Sequence, residues 1–286
     1  MSTAPAAEKV VPFEFFDVHV VRTRRLSPAM LRVTFGGERL GDFASGGRDQ
    51  RFKLFLPRPG QEAPLVPTHA GENWFAEWRA MDPAEQSLMR SYTVREQRED
   101  EVDVDFAMHG EPGVDEGPAT RWAREALPGA RAILLGPVVA DNGGVDFRPP
   151  EGTDWILLSG DETALPAIAA TLEQLPEDTR VRAWIEVPSR ADVQELRAPA
   201  DAEVVWLVRD ETAKSRAELV LDAIAEAEFP PGTPYAWIAG ESNTVKMLRR
   251  HLIRKRRLAR GSITFTGYWR LGATEEQLVA EALSES

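Results

Sequence analysis

From Phe13 onward, short apolar runs alternate with turns built from Gly and Pro. Runs bounded in this way predict strands at Phe15 to Arg22, Leu31 to Phe35 and Arg51 to Leu56, separated at Gly36-Gly37 and Gly46-Gly47. The segment Pro57 to Met89 breaks the rhythm. It holds prolines, glycines and the tryptophans Trp74 and Trp78, and reads as a loop with one short helix at Pro83 to Met89. Strands resume at Ser91 to Arg95, Val102 to Met108 and Ala132 to Leu135, interrupted by a short helix at Ala119 to Ala126. Several short strands at this spacing predict a small barrel.

After Pro149-Pro150 the texture changes. Trp155 to Leu158 is a short apolar strand, and Thr163 to Leu175 carries Leu165, Ile168, Leu172 and Leu175 at helical spacing. Strand-like runs recur at Val181 to Val187, Glu203 to Val208 and Tyr235 to Ala239, with helical patterns at Glu218 to Glu228 and Thr244 to Arg257. Alternating strand and helix implies βαβ units around a parallel sheet. Two domains follow, residues 12–150 and 151–286. The tail Thr274 to Leu283 has the spacing of an amphipathic helix that docks on the second domain.

Composition narrows the function classes. A formal charge of -12 excludes a general nucleic-acid binder. No apolar run spans a bilayer, and residues 1–12 lack the basic-then-apolar pattern of a signal peptide. With no cysteine, disulfides, thiolate metal ligands and a Cys nucleophile are excluded, and a cytoplasmic monomer is the expectation.

The most informative stretch is Arg90-Ser91-Tyr92-Thr93-Val94-Arg95. On a strand, Arg90, Tyr92 and Val94 take one face, and Ser91, Thr93 and Arg95 the other. Tyr92 can lie along an aromatic ring, Thr93 can bond a ring edge and an arginine can pair with phosphate. Downstream, Gly117-Pro118-Ala119-Thr120 opens a helix whose free amides suit a diphosphate, with Arg121 just inside. In the second half, the first strand meets its helix through Gly160-Asp161-Glu162-Thr163, where a doubly wound fold receives a dinucleotide. The Gly-x-Gly-x-x-Gly fingerprint is absent, and Asp161 and Glu162 would repel a pyrophosphate set directly over them. Thr163 is placed to cap the helix.

These stretches, with Lys53-Leu54-Phe55, Asp105 through Met108-His109-Gly110, Gly160 through Pro166, Ala239-Gly240-Glu241 and Gly267-Tyr268-Trp269-Arg270, resemble in order and spacing the siderophore-interacting proteins. These are NAD(P)H-dependent ferric-siderophore reductases of the ferredoxin-reductase-like superfamily. The resemblance implies an antiparallel FAD-binding β-barrel followed by a parallel-sheet α/β nucleotide-binding domain. It implies FAD contacts from Arg90, Ser91, Tyr92, Thr93, Arg95, Asp105, Met108, His109, Gly117, Ala119, Thr120 and Arg121. For the nicotinamide nucleotide it points to Gly160, Asp161, Glu162, Thr163, Gly240 and Glu241. NADH and NADPH both remain open: Glu186 suits a ribose hydroxyl, whereas Ser189, Arg190 and Arg209 suit a 2′-phosphate, and the lean is to NADPH. No His/Cys/Asp cluster has iron-ligand spacing, so no resident metal is expected.

A run of cations, Arg249 to Arg260, marks one late helix and its exit. A solvated helix face accounts for most such runs. By resemblance, Lys53, Arg254 (with Arg250 as the alternative) and Arg270 would surround a pocket for the anionic ferric siderophore. Two other functions stay open: a flavin reductase for another acceptor, and a siderophore-binding protein that catalyses nothing.

Overall fold

In the computed structural model, residues 11–108, 117–274 and Gln277 are described. The first domain is a curled antiparallel sheet of seven strands: β1 (Phe13–Ser27), β2 (Met30–Gly36), β3 (Arg51–Leu56), β4 (Leu88–Thr93), β5 (Glu96–Gln97), β6 (Glu101–Ala107) and β7 (Arg131–Pro137). Their spatial order is β4-β3-β7-β1-β2-β6-β5. β1 runs well past the predicted Arg22. Register shifts at Val20/Arg22 and Arg25/Ser27 let so long a strand bend with the curl. Alternation builds the interior: Val102, Val104 and Phe106 point into the core. Between them, Asp103 and Asp105 bond Thr34, Arg32 and Arg98.

The predicted helix at Pro83 to Met89 does not form. Asp82 accepts from the Ala84 amide with its side chain, and its carbonyl accepts from Glu85 and Gln86, which makes a turn. Leu88 then enters β4. The helix of this segment is α1 (Trp74–Ala80) instead. Trp74, Phe75 and Trp78 pack with Phe55, Met89 and Ile133 on the sheet's outer face, so tertiary burial makes a helix where composition suggested loop. The helix α2 (Pro118–Glu125) lies where the sequence predicts it.

The second domain has five parallel strands, β8 (Trp155–Gly160), β9 (Val181–Val187), β10 (Ala202–Val208), β11 (Pro234–Glu241) and β12 (Ile263–Trp269), in order β10-β9-β8-β11-β12. The last strand was not predicted. Its Thr- and Gly-containing sequence becomes a strand by pairing with β11 at the sheet edge. The helix α3 (Leu165–Gln174) covers one face together with Met30 and Phe147. On the other face lie α4 (Arg216–Glu226), capped reciprocally by Ser215 and Glu218, and α5 (Ser242–Arg254), capped by Glu241. The predicted C-terminal helix falls almost wholly outside the described residues.

The two sheets are joined by buried carboxylates. Asp49, from the first domain, accepts from Trp237 Nε1 at 2.8 Å and from the Phe147 amide at 3.0 Å. Asp192, from the second, accepts from Ser27 Oγ at 2.8 Å and the Ala29 amide at 2.7 Å. Arg95 crosses to Glu173 on α3 with bonds of 2.6 and 2.9 Å. Each of the two buried carboxylates takes at least one donor from the opposite domain, which fixes how the sheets meet.

Candidate functional site

Strand β4 sits between the barrel interior and the second domain. Tyr92 lies opposite Phe52, and its ring centroid is 4.4 Å from that of Phe106. On the other face, Lys53 Nζ donates to Ser91 Oγ at 2.7 Å. The strand ends at Thr93, so strict alternation stops there and Val94 is buried beside it. The Thr93 side chain lies beside the phenol of Tyr268, near the end of β12. Burial pushes the Tyr268 phenol far up, against a small opposing pull from the Thr93 hydroxyl. Arg90 Nη1 donates to the Met89 carbonyl.

Helix α2 begins at Gly117, an N-cap that contributes no side-chain bond, followed by Pro118. The amides of Ala119 and Thr120 therefore have no partner within the helix and carry its positive dipole end. Thr120 is buried and Arg121 exposed at this end. Trp122 stacks on Phe35 at 6.2 Å and holds the helix against the barrel. This donor set fits the diphosphate of a dinucleotide, and Tyr92 fits its ring. Met108 donates its amide to the Ala29 carbonyl at 2.8 Å; His109 lies outside the described residues. Asp105 is held by Arg32 at 2.6 Å and neighbours Arg95 at 3.9 Å, so it braces the sheet's outer face.

In the second domain, the acidic pair after β8 does not project toward a ligand. Asp161 turns inward and accepts from Trp269 Nε1 at 2.9 Å, the Glu241 amide at 2.8 Å and the Thr163 amide at 3.0 Å. The expected repulsion over this turn is thereby removed. Thr163 does not cap α3; its hydroxyl donates to Asp161 instead. One carboxylate thus ties together the carboxyl ends of β8, β11 and β12. Gly240, at φ 131, makes this possible, since a Cβ there would stand 2.6 Å from Asp161 Oδ2.

Sequence reasoning missed Arg216, the cation at the centre. Its guanidinium is 3.4 Å from Asp161, 3.0 Å from Glu162 and 2.5 Å from Glu186, and it lies 4.9 Å from the Trp269 ring centre. The three carboxylates are close enough together to hold a metal ion, but Arg216 takes that place. Burial pushes the Glu186 carboxyl up to about 7, against the pull of Arg216 and Arg209. The missed signal was positional: Ser215 and Glu218 form a capping box, which fixes Arg216 at the first turn of α4 beside the strand ends.

Asp161, Glu186 and Arg216 line a small pocket with Ser159, Gly160 and Glu241, where the strand order reverses between β8 and β11. Burial opposes ionisation of Glu241, but the amides of Thr244 and Asn243 hold its carboxyl below the usual range. Both oxygens of Glu186 are engaged, one by Arg209 and one by Arg216. Ser189 exchanges bonds with Asp192, and Arg190 pairs with Glu211 at 2.6 Å on the surface.

The expected basic pocket is not assembled as predicted. Arg270 follows β12 at the carboxyl ends of the strands, and the Thr93–Tyr268 contact brings that end to the strand pair holding Lys53. Arg254 ends α5, which starts at those same strand ends and runs back about 18 Å, at 1.5 Å per residue. Arg256, two residues on, bonds the terminal carbonyls of α4 at Ile224, Ala225 and Ala227. Arg254 therefore sits at the opposite end of the sheet from Arg270, and Arg250 is only one turn nearer.

Comparison with known proteins agrees with this layout. Residues 19–141 match the model of the siderophore-interacting FAD-binding domain, and residues 153–272 that of the siderophore-interacting protein. Ferric vibriobactin reductase ViuB of Vibrio cholerae is 33% identical over 90% of this chain and 89% of its own. The NADPH-dependent ferric-chelate reductase of Escherichia coli is 31% identical over 82% and 85%. The crystal structure of a siderophore utilization protein from T. fusca superposes with a TM-score of 0.76 at 35% identity, covering 93% and 96%. With one half matching a FAD-binding domain, the other matching the domain that follows it, and relatives aligned across both, the chain belongs to the siderophore-interacting protein family.

Proposed function

We propose that the protein is a flavin-dependent reductase of ferric siderophores that draws its electrons from NADPH. The observation carrying this reading is the junction of the two domains at Thr93 and Tyr268. It sets the flavin strand β4 against the carboxyl ends of the parallel strands, where a nicotinamide nucleotide would be received. Bound there, FAD would supply two-electron uptake from the reduced nucleotide and one-electron delivery to each of two ferric ions.

The chain's own residues bind and orient. Ala119 and Thr120 amides, with Arg121, would hold the diphosphate, and Tyr92 would lie along the flavin ring with Thr93 at its edge. Lys53 and Arg270 carry fixed positive charge to the mouth of the site. Ferric siderophores are often anionic and become more so on reduction, so this charge favours both binding and electron transfer. Ferrous iron is held poorly by hard oxygen ligands and leaves its chelator. NADPH is favoured over NADH because both oxygens of Glu186, the carboxylate suited to a ribose hydroxyl, are occupied; Arg209 and Arg190 would exchange Glu186 and Glu211 for a 2′-phosphate. Release in the cytoplasm and action as a monomer belong to the same proposal.

The test is an absorption spectrum of the purified protein under anaerobic conditions. A flavin spectrum should bleach with NADPH and recover when a ferric siderophore is added, with ferrous iron appearing in a chelating trap. A flavin that bleaches but ignores the siderophore points to another acceptor. No flavin, even after FAD is supplied, refutes the proposal.

A further inference from the structure

Residues 242–274 contain nine Lys and Arg and no Asp or Glu, so the rest of the chain, with 25 basic and 46 acidic residues, carries a formal charge of -21. Most of this positive charge is at one pole. Arg250, Arg254, Lys255, Arg257 and Arg260 are exposed at the end of α5 and in the turn leading to β12. None of the five forms an ion pair or side-chain hydrogen bond with a described residue. Elsewhere arginines are extensively paired, as at Arg22, Arg32, Arg39, Arg95, Arg98 and Arg216.

Helix-end stabilisation does not account for the cluster. Cations favour the carboxyl end of a helix, and Arg254 lies in the last turn of α5, but the effect falls off within that turn, Arg257 and Arg260 lie beyond it, and none of the five bonds a described carbonyl. Arg257 also adopts φ 64 at the exit of α5, a left-handed conformation in which Gly or Asn is usual. The chain keeps a cation where a small residue would be less strained.

We infer that this pole docks on an anionic bilayer surface, through phosphate contacts of the five exposed cations and independently of the reductase reading. A protein partner would call for an apolar centre, and the exposed large apolar side chains described on α5 and β12 are Met247 and Phe265 alone, against five exposed cations. A single-stranded nucleic acid would call for open aromatic faces. The neighbouring rings, Phe229 and Phe265, each have a face taken by Arg256 and Arg249 at 4.2 Å, so half-exposed Phe265 offers at most one stacking face. Glu226 and Glu228, exposed at the end of α4 beside Arg256, lower the charge of this pole but leave it positive, and acidic groups more than about 8 Å from the surface are largely screened at physiological salt. Docking by this pole points the strand ends at Glu241 and Trp269 away from the bilayer, so the cofactor crevice stays open.

The test uses the full-length holoprotein with sedimenting vesicles, either pure phosphatidylcholine or phosphatidylcholine with about one-third phosphatidylglycerol. Binding should occur only with the anionic vesicles and disappear near 0.5 M salt, where the Debye length is only about 4 Å. K255E/R257E/R260E should lower the partition at least about 100-fold, at roughly fivefold per charge. Its flavin content should be unchanged. Should that variant not fold, K255Q/R260Q carries the same test with about a 25-fold loss. No binding at low salt, binding to neutral vesicles, or undiminished binding by the variants overturns the inference. Tighter retention by a DNA oligonucleotide or by polyglutamate than by the anionic vesicles overturns it as well.

Discussion

Replacing Arg216 by methionine keeps much of the side chain's volume and removes the charge that three buried carboxylates share. Asp161, Glu162 and Glu186 are 4%, 2% and 1% exposed. Arg209 is the one other cation paired with this group among the described residues, touching Glu186 and lying 3.5 Å from Glu162. Breaking a buried ion pair by removing one partner costs about 3–5 kcal/mol, because the remaining charge stays desolvated. At roughly 2–4 °C per kcal/mol for a protein of this size, Arg216→Met should melt about 10 °C lower. Calorimetry and urea unfolding would measure both quantities. The loss should shrink as pH falls, since the stranded carboxyls take up protons and their penalty vanishes. Adding Glu186→Gln to the same background should restore part of the loss, with a coupling of about 1–3 kcal/mol. A loss under about 1 kcal/mol, or one indifferent to pH, would refute the view that this arginine neutralises the turn after β8.

Glu186 makes a second prediction. Its folded value near 7 lies above its ordinary 4.5, so the folded state holds the extra proton between these values. Its contribution therefore falls as pH rises through that window, by up to about 3 kcal/mol, and Glu186→Gln should remove that slope from the stability curve. Lys53→Ala with Arg270→Ala should lower ferric-siderophore reduction at least about tenfold while reduction of a small neutral dye persists, because only the anionic substrate uses their charge. An equal loss for both acceptors would count against a substrate role. Trp78→Ala should cost about 3–5 kcal/mol in urea unfolding, since the ring is 9% exposed and α1 packs through it against Phe55. Gly240→Ala should yield a protein that is destabilised or insoluble, its Cβ meeting Asp161 at 2.6 Å in a left-handed conformation. Normal expression and melting would contradict the hub geometry.

The two-domain architecture was legible in the sequence because it rests on periodicity. Alternating apolar residues need only a curled sheet to be buried, and apolar strands alternating with amphipathic helices need only a parallel one. Strand β4 and the Gly117 helix start were legible for the same reason, each being set by a pattern within a few residues. What tertiary structure decided was pairing over distance. Asp161 and Glu162 look repulsive to a nucleotide until Arg216, 54 residues away from Glu162, is brought beneath them by the cap of α4. Trp74 and Trp78 look like loop residues until the sheet's outer face gives them something to cover. Arg254 and Arg270 look like neighbours in a basic stretch, yet a helix running down and a strand running back up put them at opposite ends of the sheet. Local pattern sets which element a segment becomes; which charges meet depends on how the chain returns.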